Sequence, residues 1–190
     1  MNLAGILSAV LAALFMGTIG VFSRKTGLPP EVITFFRLFF GAGFLALYLL
    51  ATGRLHLLRR RPTWPILLNG LMLAGFIVFY IEAMNLTTMA NAIMLLYLAP
   101  LAAAVVAHFF LGERLSISGA VLIATALLGF AMMMEFRVDF SGGAEHGKGL
   151  MFAAAGLSCY AAFILINRTI DSAIDCYNRT FYQLMAGALC

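Results

Sequence analysis

Thr34-Phe35-Phe36-Arg37-Leu38-Phe39-Phe40-Gly41-Ala42 returns 146 residues later as Thr180-Phe181-Tyr182-Gln183-Leu184-Met185-Ala186-Gly187-Ala188, identical at five of nine positions. Around and between the two copies the apolar residues fall in blocks: Leu3–Phe22, Val32–Ala51, Pro65–Met84, Ala92–Leu111, Ile117–Met134, Gly149–Ile166 and an unfinished Thr180–Cys190. Each complete block approaches the ~20 residues that a helix rising ~1.5 Å per residue needs to cross ~30 Å of hydrocarbon. The expectation is an all-α, polytopic transmembrane bundle with six complete spans and the start of a seventh.

Composition points the same way. Apolar residues make up 63% and charged residues 11%, against roughly 45–50% and about 25% in soluble domains, and the mean hydropathy is +1.00. Strands are disfavoured because the blocks lack the alternation of a barrel strand, and lipid leaves backbone groups of an open sheet without partners. The first block has no basic leader and too long an apolar run for a signal peptide. Cys159, Cys176 and Cys190 are too scattered for a disulfide framework.

Lysine and arginine collect in the even connections, at Arg54, Arg59, Arg60, Arg61, Arg114, Arg168 and Arg179, more than in the odd ones, at Arg24, Lys25, Arg137 and Lys148. That bias predicts a cytoplasmic N-terminus in a plasma (inner) membrane protein. The net charge of +4 then reads as topology, and nucleic acid is not an expected partner. The expected partners are the bilayer, a small-molecule substrate and, optionally, further copies of the chain.

The repeat extends beyond nine residues. Gly5, Ala9 and Arg24 match Gly149, Ala153 and Arg168 at a shift of 144, so the sixth block restates the first and the seventh restates the second. Five spans separate equivalents, and five is odd. Equivalent helices therefore cross in opposite directions, as in the inverted repeats of many secondary transporters. The expected units are a first repeat over residues 1–140 and an incomplete second repeat over 147–190. On this reading the chain is a fragment of a ten-helix protein and does not transport by itself.

Pro100-Leu101 in mid-helix, then Leu111-Gly112-Glu113-Arg114-Leu115-Ser116, then Gly119 and Gly129 along the next span, resemble the EamA family of the drug/metabolite transporter superfamily. Arg37, Tyr80 and Ala83 fit the same pattern. The resemblance implies a five-plus-five carrier of small metabolites, often an exporter, with a central cavity and no ATP-hydrolysing domain. Phe15 stands where the family often has Trp, and Glu82 where an apolar or aromatic residue is more usual.

Arg37 and Glu82 are charges inside apolar blocks, where each costs ~2.5–3.5 kcal/mol on insertion scales. By depth they could meet as an ion pair on the outer side of a cavity, or each could reach the headgroups. Pro100 removes the N–H that would bond Leu96 and should kink its helix. The turn around it, with Tyr97 and with Asn91 at the outer mouth, is either part of a substrate site or a packing kink. Tyr160 and Thr18 would face the same interior if the sixth and first helices are symmetry equivalents. Gly112, Glu113 and Ser116 read as a tight hairpin, with Gly112 ending one helix and Ser116 capping the next.

No metal cluster or cofactor is expected, since His56, His108 and His146 lie far apart and no Gly-rich phosphate loop or hydrolase motif occurs. An enzyme is therefore not expected. The sequence favours an alternating-access secondary transporter of amino-acid-like or drug-like solutes, with export the expected direction and a non-transporting membrane scaffold or assembly subunit as the alternative.

Overall fold

The computed structural model describes residues 5–8, 10–11, 14–15, 25–110, 117–133, 144–170 and 174–190. Among them every regular element is helical: α1 Pro30–Ala51, α2 Trp64–Leu86, α3 Met89–Tyr97, α4 Ala99–Phe110, α5 Ile117–Met133, α6 Ala144–Thr169 and α7 Cys176–Ala188, with a 3-10 turn at Leu55–Arg59. Among the described residues four stretches are long and apolar enough to cross a bilayer: α1, α2, Met89–Phe109 and α6. α5 at 17 residues and α7 at 13 are shorter, and most of the first block lies outside the described residues, as do Gly112, Glu113 and Ser116.

Local sequence chemistry sets the helix ends. Pro30 opens α1, where its missing N–H is no loss, and Glu31 in the first turn complements the helix dipole. The other end closes with Gly53 at φ 68°. Its N–H bonds Leu50 O at 3.1 Å while Arg54 N–H bonds Leu49 O at 2.8 Å, the paired closure that a left-handed glycine permits. Thr88 starts α3 by accepting from the Asn91 N–H at 3.2 Å, and Asp175 starts α7 by accepting from Tyr177 N–H at 2.9 Å. The fourth block is split at Leu98, two residues before Pro100, where Leu98 N–H turns to Leu95 O at 3.2 Å.

α2 is the central helix. It supplies Ala74, Ile77, Ile81, Ala83 and Met84 to a core completed by Leu38, Ala92, Ala153 and Ala188. Its longest interface is with α6, followed by α7, while α1 packs on α7. Small residues allow the close crossings. A Cβ added at Gly187 would lie 2.8 Å from Gly70 O, and one at Gly149 would lie 2.9 Å from the Thr87 backbone, closer than side chains tolerate. Ala99, Ala103 and Ala107, all buried, form a comparable stripe on α4.

The outer face of α1 carries Phe35, Phe36, Phe39, Phe40, Phe44 and Leu47, all exposed. In water such a band would be an aggregation surface; facing lipid it needs no cover. The molecule is a multi-pass membrane protein.

The two copies of the repeated phrase lie side by side. Phe35 and Phe36 border the same hollow as Leu189 and Cys190, Leu38 meets Gly187, Gly41 meets Leu184, and Tyr48 stands 6.1 Å from Tyr177. Each step forward on α1 is a step back on α7, so the copies run antiparallel. The contacts are also reciprocal: Leu38 and Leu184 are equivalent in the repeat, as are Gly41 and Gly187, and each leucine packs on the other copy's glycine.

Candidate functional site

Arg37 is half-buried on α1, one position before the core residue Leu38. Its guanidinium lies within electrostatic reach of the Tyr80 phenol, and Tyr80 in turn is within reach of Tyr97. Three helices thus bring a cation and two phenols to one region. From Tyr80 an aromatic wall continues across α2 and α6: Phe76 stands 6.1 Å from Tyr80, Tyr160 stacks on Phe76 at 4.7 Å, and Phe163 follows Tyr160 at 6.2 Å. The four rings are half-buried. At the α2–α6 crossing a Cβ added at Gly156 would meet Phe79 Cβ and the Tyr80 backbone at 3.5 Å, an ordinary van der Waals contact. Such a wall offers π-faces and hydroxyls beside one fixed positive charge, which suits a solute with an apolar body and an anionic or polar end.

The structure contains no Arg37–Glu82 ion pair. Tyr80 and Glu82 are two residues apart on α2, and ~100° per residue puts them ~160° apart around the helix. Arg37 faces the Tyr80 side. Pro100 is exposed beside the Leu98 break, and Tyr97, at the end of α3, is 58% exposed. Thr18 lies outside the described residues.

Asn91 stands apart from this group. It is 3% exposed, and its Nδ2 lies 3.3 Å from His146 Nε2, while Thr87 Oγ1 lies 3.1 Å from His146 Nδ1. The imidazole that accepts from Asn91 and donates from Nδ1 to Thr87 satisfies both. His146 thereby fastens the α2–α3 corner to the first turn of α6. Hydropathy starts the sixth block at Gly149 and so leaves His146 outside it, whereas the helix starts at Ala144.

A second polar group was also unforeseen. Asn167 Oδ1 accepts from Asn69 Nδ2 and from Gln183 Nε2, each at 3.3 Å, tying α6 to α2 and α7. Asn69 is fully buried and its Oδ1 accepts nothing. An asparagine inside an apolar block was the available signal. Gln183 is the repeat equivalent of Arg37.

Comparison with known proteins identifies the chain's relatives. The sequence profile of the EamA-like transporter family matches residues 3–135. The chain belongs to this family. The chain is similar to an uncharacterized transporter of Archaeoglobus fulgidus, 30% identical over 94% of the chain, and to the uncharacterized transporter YxxF of Bacillus subtilis, 26% identical over 97%. The pseudopaline exporter CntI of Pseudomonas aeruginosa is 29% identical over 98%. The chain spans between 60% and 64% of these relatives' lengths. A crystal structure of another protein superposes with a TM-score of 0.71 at 26% identity, covering 93% of this chain and 61% of that one. These relatives are transporters by name, and none is named as an enzyme.

Proposed function

We propose that the protein is a secondary transporter of small metabolites, an exporter of amino-acid-like or drug-like solutes, working by alternating access through a ten-helix, five-plus-five inverted repeat. The observation that carries this reading is the antiparallel, reciprocal packing of α1 on α7, where Leu38 meets Gly187 and Gly41 meets Leu184. A two-fold axis in the membrane plane generates that pattern, because it exchanges the two copies and reverses their direction. A carrier built this way has two similar forms, open to opposite sides of one site.

The site proposed here is the region of Arg37, Tyr80, Tyr97 and Tyr160, with Phe76 and Phe163 as its apolar wall. The Leu98 break next to Pro100 supplies irregular backbone of the kind tolerated where a helix lines protein or a cavity. Arg37 would hold the polar or anionic end of the solute. Export is favoured by the likeness to an exporter, and the arginine-rich second connection favours a cytoplasmic N-terminus in the plasma membrane.

The test is saturable flux of a metabolite panel in vesicles reconstituted with the full-length protein. Arg37→Gln is expected to lower flux by on the order of ten- to a hundredfold, the loss of ~1.4–2.7 kcal/mol of transition-state stabilisation, without loss of the folded protein. Glu82→Gln, on the opposite side of α2, should leave flux within about twofold. Absence of flux across the panel would favour a non-transporting scaffold, and equal flux in wild type and Arg37→Gln would remove Arg37 from the site.

A further inference from the structure

The two ends of α6 are held by different means. Near its start a Cβ on Gly149 would lie 2.9 Å from the Thr87 backbone, and His146 bonds Thr87 and Asn91 one turn earlier. The buried residues within α6 are Gly149, Ala153, Gly156 and Ala161, a small-residue stripe that packs the first two thirds of the helix. From Ala162 to Thr169 no residue is buried, and the next that is, Ile170, lies past the helix end. The polar tie of this last third to other helices is Asn167.

A single oxygen makes that tie. Asn167 Oδ1 accepts from Asn69 Nδ2 on α2 and from Gln183 Nε2 on α7, each at 3.3 Å, long for an N–H···O bond. Asn69 Oδ1 is sealed beside it and accepts nothing among the described residues. A buried acceptor without a donor costs free energy, so the closed knot carries a penalty that parting the helices lifts. Interhelical hydrogen bonds in membranes are also individually weak. The tie is therefore readily reversed.

Its place along the helices gives it a use. On α2, Phe76 follows Asn69 by seven residues, about 10 Å, with Tyr80 beyond; on α6, Phe163 precedes Asn167 by four, about 6 Å, with Tyr160 before it. The aromatic wall thus lies to one side of the knot. To the other lies the arginine-rich connection, which Asn178 and Tyr182 of α7 bind through Leu57 O, Arg60 O and Leu58 O.

We propose that Asn167 is the latch of a gate on the arginine-rich side of the aromatic wall. With both bonds made, the last two turns of α6 close the way between the wall and that end. With them broken, those turns part from α2 and α7 while the Gly149 end stays fixed. The gate rests on the transporter reading of the site, but its test needs no transported solute.

Cys159 is the reporter. It is half-buried at the level of the wall, next to Tyr160 and facing Gly75 across the α2–α6 crossing, where an added Cβ would lie 3.4 Å from its Sγ. Full-length protein in vesicles of known orientation is treated with a membrane-impermeant maleimide from one side at a time, and modification of Cys159 is followed by peptide mass spectrometry. Asn167→Leu loses both bonds and should raise the rate from the arginine-rich side about threefold to tenfold, with the rate from the opposite side unchanged. Asn167→Asp keeps an acceptor for both donors and strengthens it, so its rate should not exceed that of the wild type. Asn69→Leu loses one bond together with the stranded Oδ1, and should stay within about twofold of the wild type. An unchanged rate in Asn167→Leu, an equal rise from both sides, a rise in Asn167→Asp, or a rise in Asn69→Leu as large as in Asn167→Leu would each overturn the latch. Side-specific labelling without solute flux would keep the latch and remove the transporter reading, whereas flux with labelling indifferent to Asn167 would do the reverse.

Discussion

Arg37 and Gln183 hold the same place in the repeated phrase, yet their surroundings differ. Arg37, on α1, lies within electrostatic reach of Tyr80, where the half-buried aromatic wall begins. Gln183, on α7, is buried with Asn167 and Asn69 in a knot of three amides that ties three helices together. The shared backbone frame, with its small residues and its leucine, is about helix crossing. The variable polar position is where one copy keeps a charge accessible and the other gives it up for cohesion. In the second copy that position serves as a joint between helices.

Exchanging the two residues is the strongest way to break this comparison. Gln183→Arg buries a charge among amides that already share one acceptor, and should cost about 2.5–3.5 kcal/mol, read as lost folded protein in a denaturation series in micelles. Arg37→Gln should instead leave stability within about 0.5 kcal/mol. Equal effects of the two would mean that the environments are not distinct.

The glycines give the next largest contrast. Gly187→Ala sets a Cβ 2.8 Å from Gly70 O and 2.9 Å from Leu38 Cδ1, and should cost about 1–3 kcal/mol by overpacking. Its equivalent, Gly41→Ala, meets only Leu184 Cδ1 at 3.6 Å and should change thermal stability by no more than about 0.5 kcal/mol. A tolerated Gly187→Ala would show that the α2–α7 crossing can loosen. The smallest effect belongs to Asn69→Leu. It removes one amide bond together with the unpartnered Oδ1, and the same denaturation series should register at most about 0.6 kcal/mol, the average for interhelical hydrogen bonds in membranes.

The helices were legible because apolar runs have a length that only a bilayer requires. Their ends were less so. α6 runs from Ala144 to Thr169 rather than Gly149 to Ile166, since hydropathy marks the hydrocarbon and not the helix, which continues through Glu145-His146-Gly147-Lys148 with a Glu145–Lys148 contact of 3.5 Å. Arg37 stands out in the sequence because a charge in an apolar block is expensive. Its neighbour does not. Depth along the axis brought Glu82 within reach, but the angle around α2 gave the place to Tyr80. Phe76 and Phe163 were hidden among the 17 phenylalanines of the chain, and only the α2–α6 crossing sets them apart.

Trp64 has a practical consequence. It is the one tryptophan in the 190 residues, and it sits exposed beside the arginine-rich Leu55–Arg61 connection. Intrinsic emission from this chain therefore has a single address. Excitation selective for indole reads that end of the bundle alone, so quenching or a spectral shift there records events beside the arginine-rich connection, with the aromatic wall silent.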